Sequence, residues 1–215
     1  MIYYIEDVQT IEMSDLQDML AFVSRERLER IERYRLIYGQ VQSVLAYLLF
    51  RYGLIRDYGI TEIPTIAKEK MGKPFLPQFS DLHFNLSHCR TAVACGFSSK
   101  PIGVDVQHLV PYKESVVRFF MTPTEAEQIS RADESREFTR MWTVKESYGK
   151  YLGMGIRYPM SSTTVAEGTD PRGFFIKSYC MKDYYLSVCA EEEQNLCEVS
   201  YVQLKEFWMK RLGCE

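Results

Sequence analysis

Apolar positions recur at helical spacing between residues 24 and 52, where Leu28, Ile31, Val41, Val44, Leu45, Leu48 and Leu49 fall along one stripe. That spacing predicts helix. Ser24 is placed to cap the first turn, with Arg25, Arg27, Arg30 and Arg33 on the polar side and breaks at Gly39 and Gly53. Residues 2–5 predict a short strand. A loop with Gly72, Pro74 and Pro77 follows, and then two strand-like runs, 91–97 and 102–106, joined by a Ser-Ser-Lys-Pro turn. Residues 115–120, 123–129 and 137–151 read as helices. Residues 174–180, 184–190 and 198–204 read as antiparallel strands with a short terminal helix after them. Strands grouped apart from helices predict an α+β fold, divided near residues 100–112 so that each half has helices and a small sheet.

The same periodicities sort polar side chains onto faces. On a strand over 102–106, Ile102, Val104 and Val106 face one way and want a core, while Gly103, Asp105 and Gln107 face the other. An Asp amid apolar strand residues is costly unless it is paired or holds a metal, and the alternative is a turn cap near His108. On the helix over 137–151, Glu146 and Lys150 lie one turn apart and Lys145 sits beside Glu146. An acid between two lysines suits a polyphosphate held with a divalent cation, and it equally suits a solvated ion pair. Phe84-Asn-Leu-Ser-His88 sets Ser87 and His88 on opposite strand faces, which argues against a nucleophile–base pair and leaves phosphate donors or a polar turn. Lys73 stands on a rigid turn between Gly72 and Pro74.

Composition narrows the classes. With 46% hydrophobic residues, 26% charged residues and a net charge of −3, the chain is an ordinary globular protein and not a generic nucleic-acid binder. No apolar run is long enough to span a bilayer, and residues 1–7 show no signal-peptide core. The six cysteines (89, 95, 180, 189, 197 and 214) form no CxxC pair and, with three histidines, no zinc pattern. They are expected to be reduced in a cytoplasmic protein, with Cys95 and Cys189 as small core residues.

Taken in order, Gly72-Lys-Pro, Phe84-Asn-Leu-Ser-His, Ile102-Gly-Val-Asp, Phe119-Phe120 with an acid soon after, and Trp142-x-x-Lys-Glu-Ser-x-x-Lys closely resemble the 4′-phosphopantetheinyl transferases of the Sfp type. The resemblance implies a pseudo-dimer of two similar α+β halves, here 1–104 and 105–215, with the active site in the cleft between them. It implies Mg²⁺-dependent transfer of the phosphopantetheine arm of coenzyme A to a serine of an apo acyl or peptidyl carrier protein, by a monomer. Asp105 and Glu146 match metal-binding acids, with Gln107 standing where many relatives have a further acid. Lys73, Ser87, His88, Lys145 and Lys150 match coenzyme A contacts, and Arg27 and Arg30 match basic positions near the 3′-phosphate. Glu125 matches the acid after the Phe-Phe pair, with Glu127 as its rival; Glu125, Glu146 and Lys150 are the catalytic candidates. Gln42 replaces an arginine common among relatives. A carrier surface is expected over 111–132, from Tyr112, Phe119, Phe120 and Met121, and Trp142 is expected to anchor its helix. Two alternatives use the same residues: a metal-dependent hydrolase of coenzyme A or nucleotide pyrophosphates, and a catalytically silent binding module.

Overall fold

A computed structural model describes residues 1–213. In chain order the elements are β1 (Ile2–Ile5), α1 (Arg25–Ile31), α2 (Ile37–Tyr58), β2 (Ala67–Lys68), β3 (Pro74–Phe75), β4 (His83–His88), β5 (Val93–Ser98) and β6 (Ile102–His108). Then follow α3 (Glu114–Phe120), α4 (Pro123–Ser130), α5 (Glu134–Tyr151), β7 (Gly168–Asp170), β8 (Phe174–Cys180), β9 (Tyr184–Ala190), β10 (Leu196–Glu198) and α6 (Tyr201–Leu212). Short 3₁₀ segments, among them Met13–Phe22, fill the connections. One four-stranded sheet has the order β10-β1-β5-β4 and another the order β6-β9-β8-β7, which makes the fold α+β as expected.

Three expected boundaries move, each for a readable reason. The helix break lies at residues 32–36, not at Gly39, and α2 runs through Gly53 to end at the left-handed Gly59. Gly53 is there for contact: a Cβ on it would lie 2.3 Å from the Phe97 ring, so its absence lets α2 sit down on β5. Residues 201–204 are helix rather than strand, because Ser200 and Gln203 form a capping box. The expected halves also interleave. β6 begins at Ile102, so a cut at 104/105 would divide it, and β10 returns to pair parallel with β1 in the first sheet.

The core is layered. Residues 41–54 of α2 are all buried, against the first sheet on one side and α6 with Met13–Phe22 on the other. A second cluster (Ile2, Tyr4, Ala94, Val104, Val106, Leu186, Val188) fills the space between the two sheets, and a third seats Val144 and Tyr148 of α5 on the far face of β8 and β9. The five cysteines among the described residues are unpaired, with Cys95 and Cys189 buried as expected; Cys214 lies outside the described residues. No described helix is long and apolar enough to cross a membrane.

Candidate functional site

The alternation of β6 decides the site. Ile102, Val104 and Val106 enter the core between the sheets, which turns Gly103, Asp105 and Gln107 toward the other face. A Cβ at Gly103 would stand 1.9 Å from the Ser147 carbonyl oxygen and 2.4 Å from the Tyr151 nitrogen. What approaches the backbone there is α5 itself, and only glycine permits it. That contact brings Asp105 against the turn of α5 that carries Glu146 and Lys150.

Lys150 Nζ donates to Asp105 Oδ1 at 2.6 Å, to Ser87 Oγ at 3.0 Å and to the Val104 carbonyl at 3.0 Å. Ser87 Oγ donates to the same Asp105 oxygen at 2.9 Å and accepts the Val106 N–H at 3.1 Å. Glu146 completes the cluster. Burial raises its carboxyl above the ordinary range, repulsion from Asp105 raises it further, and Lys150 opposes both. Asp105 alone is paired with the Lys150 ammonium, and Glu146 feels its charge from farther off. Lys150 has three protons and three protein acceptors, whereas no side-chain hydrogen bond or ion pair reaches Glu146 among the described residues.

A cavity of about 570 Å³ opens beside this cluster, between α1–α2, residues 63–74, β4 and the end of α5. Arg27, Arg30, Lys68, Lys73 and Lys150 line it against a single acid, Glu26, a local positive excess on a chain of net charge −3, and His88 lines it too. Ser24 caps α1 by accepting the Arg27 N–H, which fixes the turn that projects Arg27 and Arg30. Arg27 lies over the Tyr47 ring, 5.8 Å from its centroid, and its Nε is buried with no partner among the described residues. Lys73 Nζ donates to the carbonyls of Ile102 at 3.2 Å and Tyr151 at 3.0 Å, tying β6 to the end of α5, and burial holds its pKa below the usual range. His88 is lowered to about 4, first by burial and then by Lys150, Arg27 and Arg30. Its ring is therefore neutral at pH 7 and presents one N–H, held edge-on by Tyr34. Cationic and N–H groups converging on one open cleft match a ligand with several anionic oxygens.

Not every expected residue comes here. Lys145 is fully buried in an ion pair with Glu125 at 2.6 Å, and it also donates to the carbonyls of Phe120 and Thr163 at 3.3 and 3.0 Å. Glu125 accepts the N–H groups of Thr122 and Val165 and closes the capping box of α4. The structure therefore departs from the expectation for both: they clamp α4 and residues 160–165 onto α5, and neither lines the cavity. Ser87 is also not a free donor, since its proton goes to Asp105. Gln107 folds along the strand, with Nε2 donating to the His108 carbonyl at 3.3 Å. Among the described residues no three His, Cys, Asp or Glu side chains gather as a metal site, and the acid that acts on Glu146 is Asp105. Gln42 is buried and faces a separate groove with Arg90 and His108. Phe119 is 72% exposed, but Met121 is buried beneath α3 and α4. Trp142 packs edge-on against Phe120 at 4.7 Å, as an anchor. Lys68, Tyr34 and Asn85 line the cavity and were absent from the expected set; for Asn85 the signal was its place two residues before Ser87, on the same strand face.

Residues 101–203 match the family model described as the 4′-phosphopantetheinyl transferase superfamily. A "4′-phosphopantetheinyl transferase" of Bacillus subtilis is 30% identical, with 80% of this chain and 84% of that protein covered. The "4′-phosphopantetheinyl transferase Sfp" of Bacillus subtilis (strain 168) is 27% identical over 94% of this chain and 99% of its own length. The "4′-phosphopantetheinyl transferase HetI" of Nostoc sp. is 34% identical over 66% of this chain and 65% of its own.

Proposed function

The chain belongs to the 4′-phosphopantetheinyl transferase superfamily, and on that premise we propose that it moves the 4′-phosphopantetheine arm of coenzyme A to a serine of an apo carrier protein. The observation that carries this reading is the junction of the basic cavity with the Asp105–Glu146–Lys150 cluster. In this reading the cavity holds the coenzyme A nucleotide, and the cluster meets the pyrophosphate at its mouth.

The donor set fits magnesium. Burial and then repulsion from Asp105 raise the Glu146 carboxyl, a repulsion that a divalent cation would relieve, and Mg²⁺ is commonly held by one or two carboxylates with substrate phosphate and water. Asp105 and Glu146 would hold it, with the Gln107 carbonyl oxygen reached through water, and when bound it supplies neutralisation of phosphate charge. The protein's own groups do the rest. Arg27, Arg30 and Lys68 hold the nucleotide phosphates, and Lys73, His88 and Lys150 orient the pyrophosphate. Glu146 is the acid of the cluster with no side-chain partner, and it accepts the proton of the attacking carrier serine. The new bond joins the serine oxygen to the β-phosphorus. The bond from that phosphorus to the bridging oxygen breaks, and 3′,5′-ADP leaves. Glu125, spent on Lys145 and two N–H groups, takes no part in this scheme.

The reading also places two linked halves on either side of the β4–β6 seam, acting as a monomer in the cytoplasm. Coenzyme A labelled in its arm, Mg²⁺ and an apo-carrier test it together. Label on the carrier serine is the expected result; labelled free phosphopantetheine and 3′,5′-ADP with an unlabelled carrier would make the protein a hydrolase instead.

A further inference from the structure

β6 is an edge strand of its sheet, and among the described residues the N–H groups on its outer edge have no strand to pair with. Two side chains of β4 serve them instead. Asn85 Oδ1 accepts the Val104 N–H at 2.8 Å, and Ser87 Oγ accepts the Val106 N–H at 3.1 Å. Asn85 and Ser87 are two apart on β4, as Val104 and Val106 are on β6, so the pair forms a short ladder made of side chains.

The ladder fixes which way the Asn85 amide points. A backbone N–H must face an oxygen, so Oδ1 is committed to Val104 and the Nδ2 amino group is turned the other way. Asn85 is only 5% exposed, yet it lines the 570 Å³ cavity beside His88 and Lys150. No protein acceptor meets its amino group among the described residues. Lys73, His88 and Lys150, which share that wall, are donors too.

From this we propose that Asn85 is a further binding residue for coenzyme A. Its Nδ2 donates to a phosphate oxygen of the ligand while its Oδ1 holds strand β6 in place. The inference rests on the reading that the cavity takes coenzyme A. It makes one buried amide do two things: it spans the two sheets and offers a neutral donor among the cations, where a further positive charge would repel Lys150.

Asn85→Asp separates the two roles. It keeps the shape and an acceptor for the Val104 N–H, but turns the amino group into an anionic oxygen aimed at phosphate. Calorimetric titration with coenzyme A should show the dissociation constant raised tenfold or more, with the KM for the apo-carrier unchanged. A residue that only stitched the sheets would leave coenzyme A affinity at the wild-type value, and that result overturns the proposal. If Asn85→Asp does not fold, the wild-type protein still decides. The side-chain amide resonances of Asn85 should shift on saturation with coenzyme A, and unmoved resonances would overturn the proposal equally. Wild-type binding of coenzyme A without transfer to a carrier would remove the transferase reading and leave this assignment standing. Normal transfer with an unimpaired Asn85→Asp would do the reverse.

Discussion

His88 carries no charge at neutral pH, because burial and three neighbouring cations hold it at about 4. The unfolded chain binds that proton near the ordinary value of 6.5. The neutral ring therefore contributes stability that is fully present above about pH 6.5 and is lost as pH falls toward 4, about 3 kcal/mol in all. Denaturant unfolding at about pH 7 and at about pH 4 should show this loss in the wild type and a flatter response in His88→Gln. An equal slope in both proteins would place the acid sensitivity elsewhere. At the same scale, Asp105 was legible from the alternation of its strand, since an acid on the face opposite Val104 and Val106 needs a partner. Lys145 was not. Next to Glu146 in sequence, it lies about 100° round the helix and so points at Glu125, which belongs to another element.

Among the elements, the contact of β6 with α5 governs the site, and Gly103 governs the contact. Gly103→Ala should force the helix off the strand, at about 1–3 kcal/mol, and separate Glu146 from Asp105. The check is a lowered thermal midpoint together with loss of transfer out of proportion to the loss of folded protein. Lys145→Met acts differently. It strands Glu125 as a buried charge and should destabilise by about 3–5 kcal/mol, measured by chemical denaturation, while coenzyme A binds the folded fraction normally. Weakened coenzyme A affinity in that folded fraction would return Lys145 to the binding site. Hydrophobic spacing gave the positions of α3, α4 and α5 closely, because in each the buried positions alternate with exposed or half-buried ones at helical spacing. It misjudged α2, which is buried on all sides from residue 41 to 54 and so has little contrast to read. Residues 198–204 alternate like a strand, and only the Ser200–Gln203 capping box marks the helix start.

Across the whole molecule, the two sheets meet edge to edge along β4 and β6, and the bonds there run through the side chains of Asn85, Ser87, Lys73 and Lys150. Residues that hold the halves together are the ones that line the cavity or touch Asp105. That economy explains why the ordered motifs of the sequence pointed to the site although no single motif did. The return of β10 and α6 to the first sheet was not legible, since a parallel pairing across nearly the whole chain leaves no local mark. The central claim is that Asp105 and Glu146 act together, at the mouth of a coenzyme A cavity, in transfer to a carrier. The most direct test is the intact mass of an apo-carrier after incubation with coenzyme A, Mg²⁺ and either wild-type protein, Asp105→Ala or Glu146→Gln. The carrier should gain one phosphopantetheine with the wild type, and the rate should fall on the order of 10²–10³-fold with each variant while both remain folded. A carrier modified at the wild-type rate by either variant would contradict the claim.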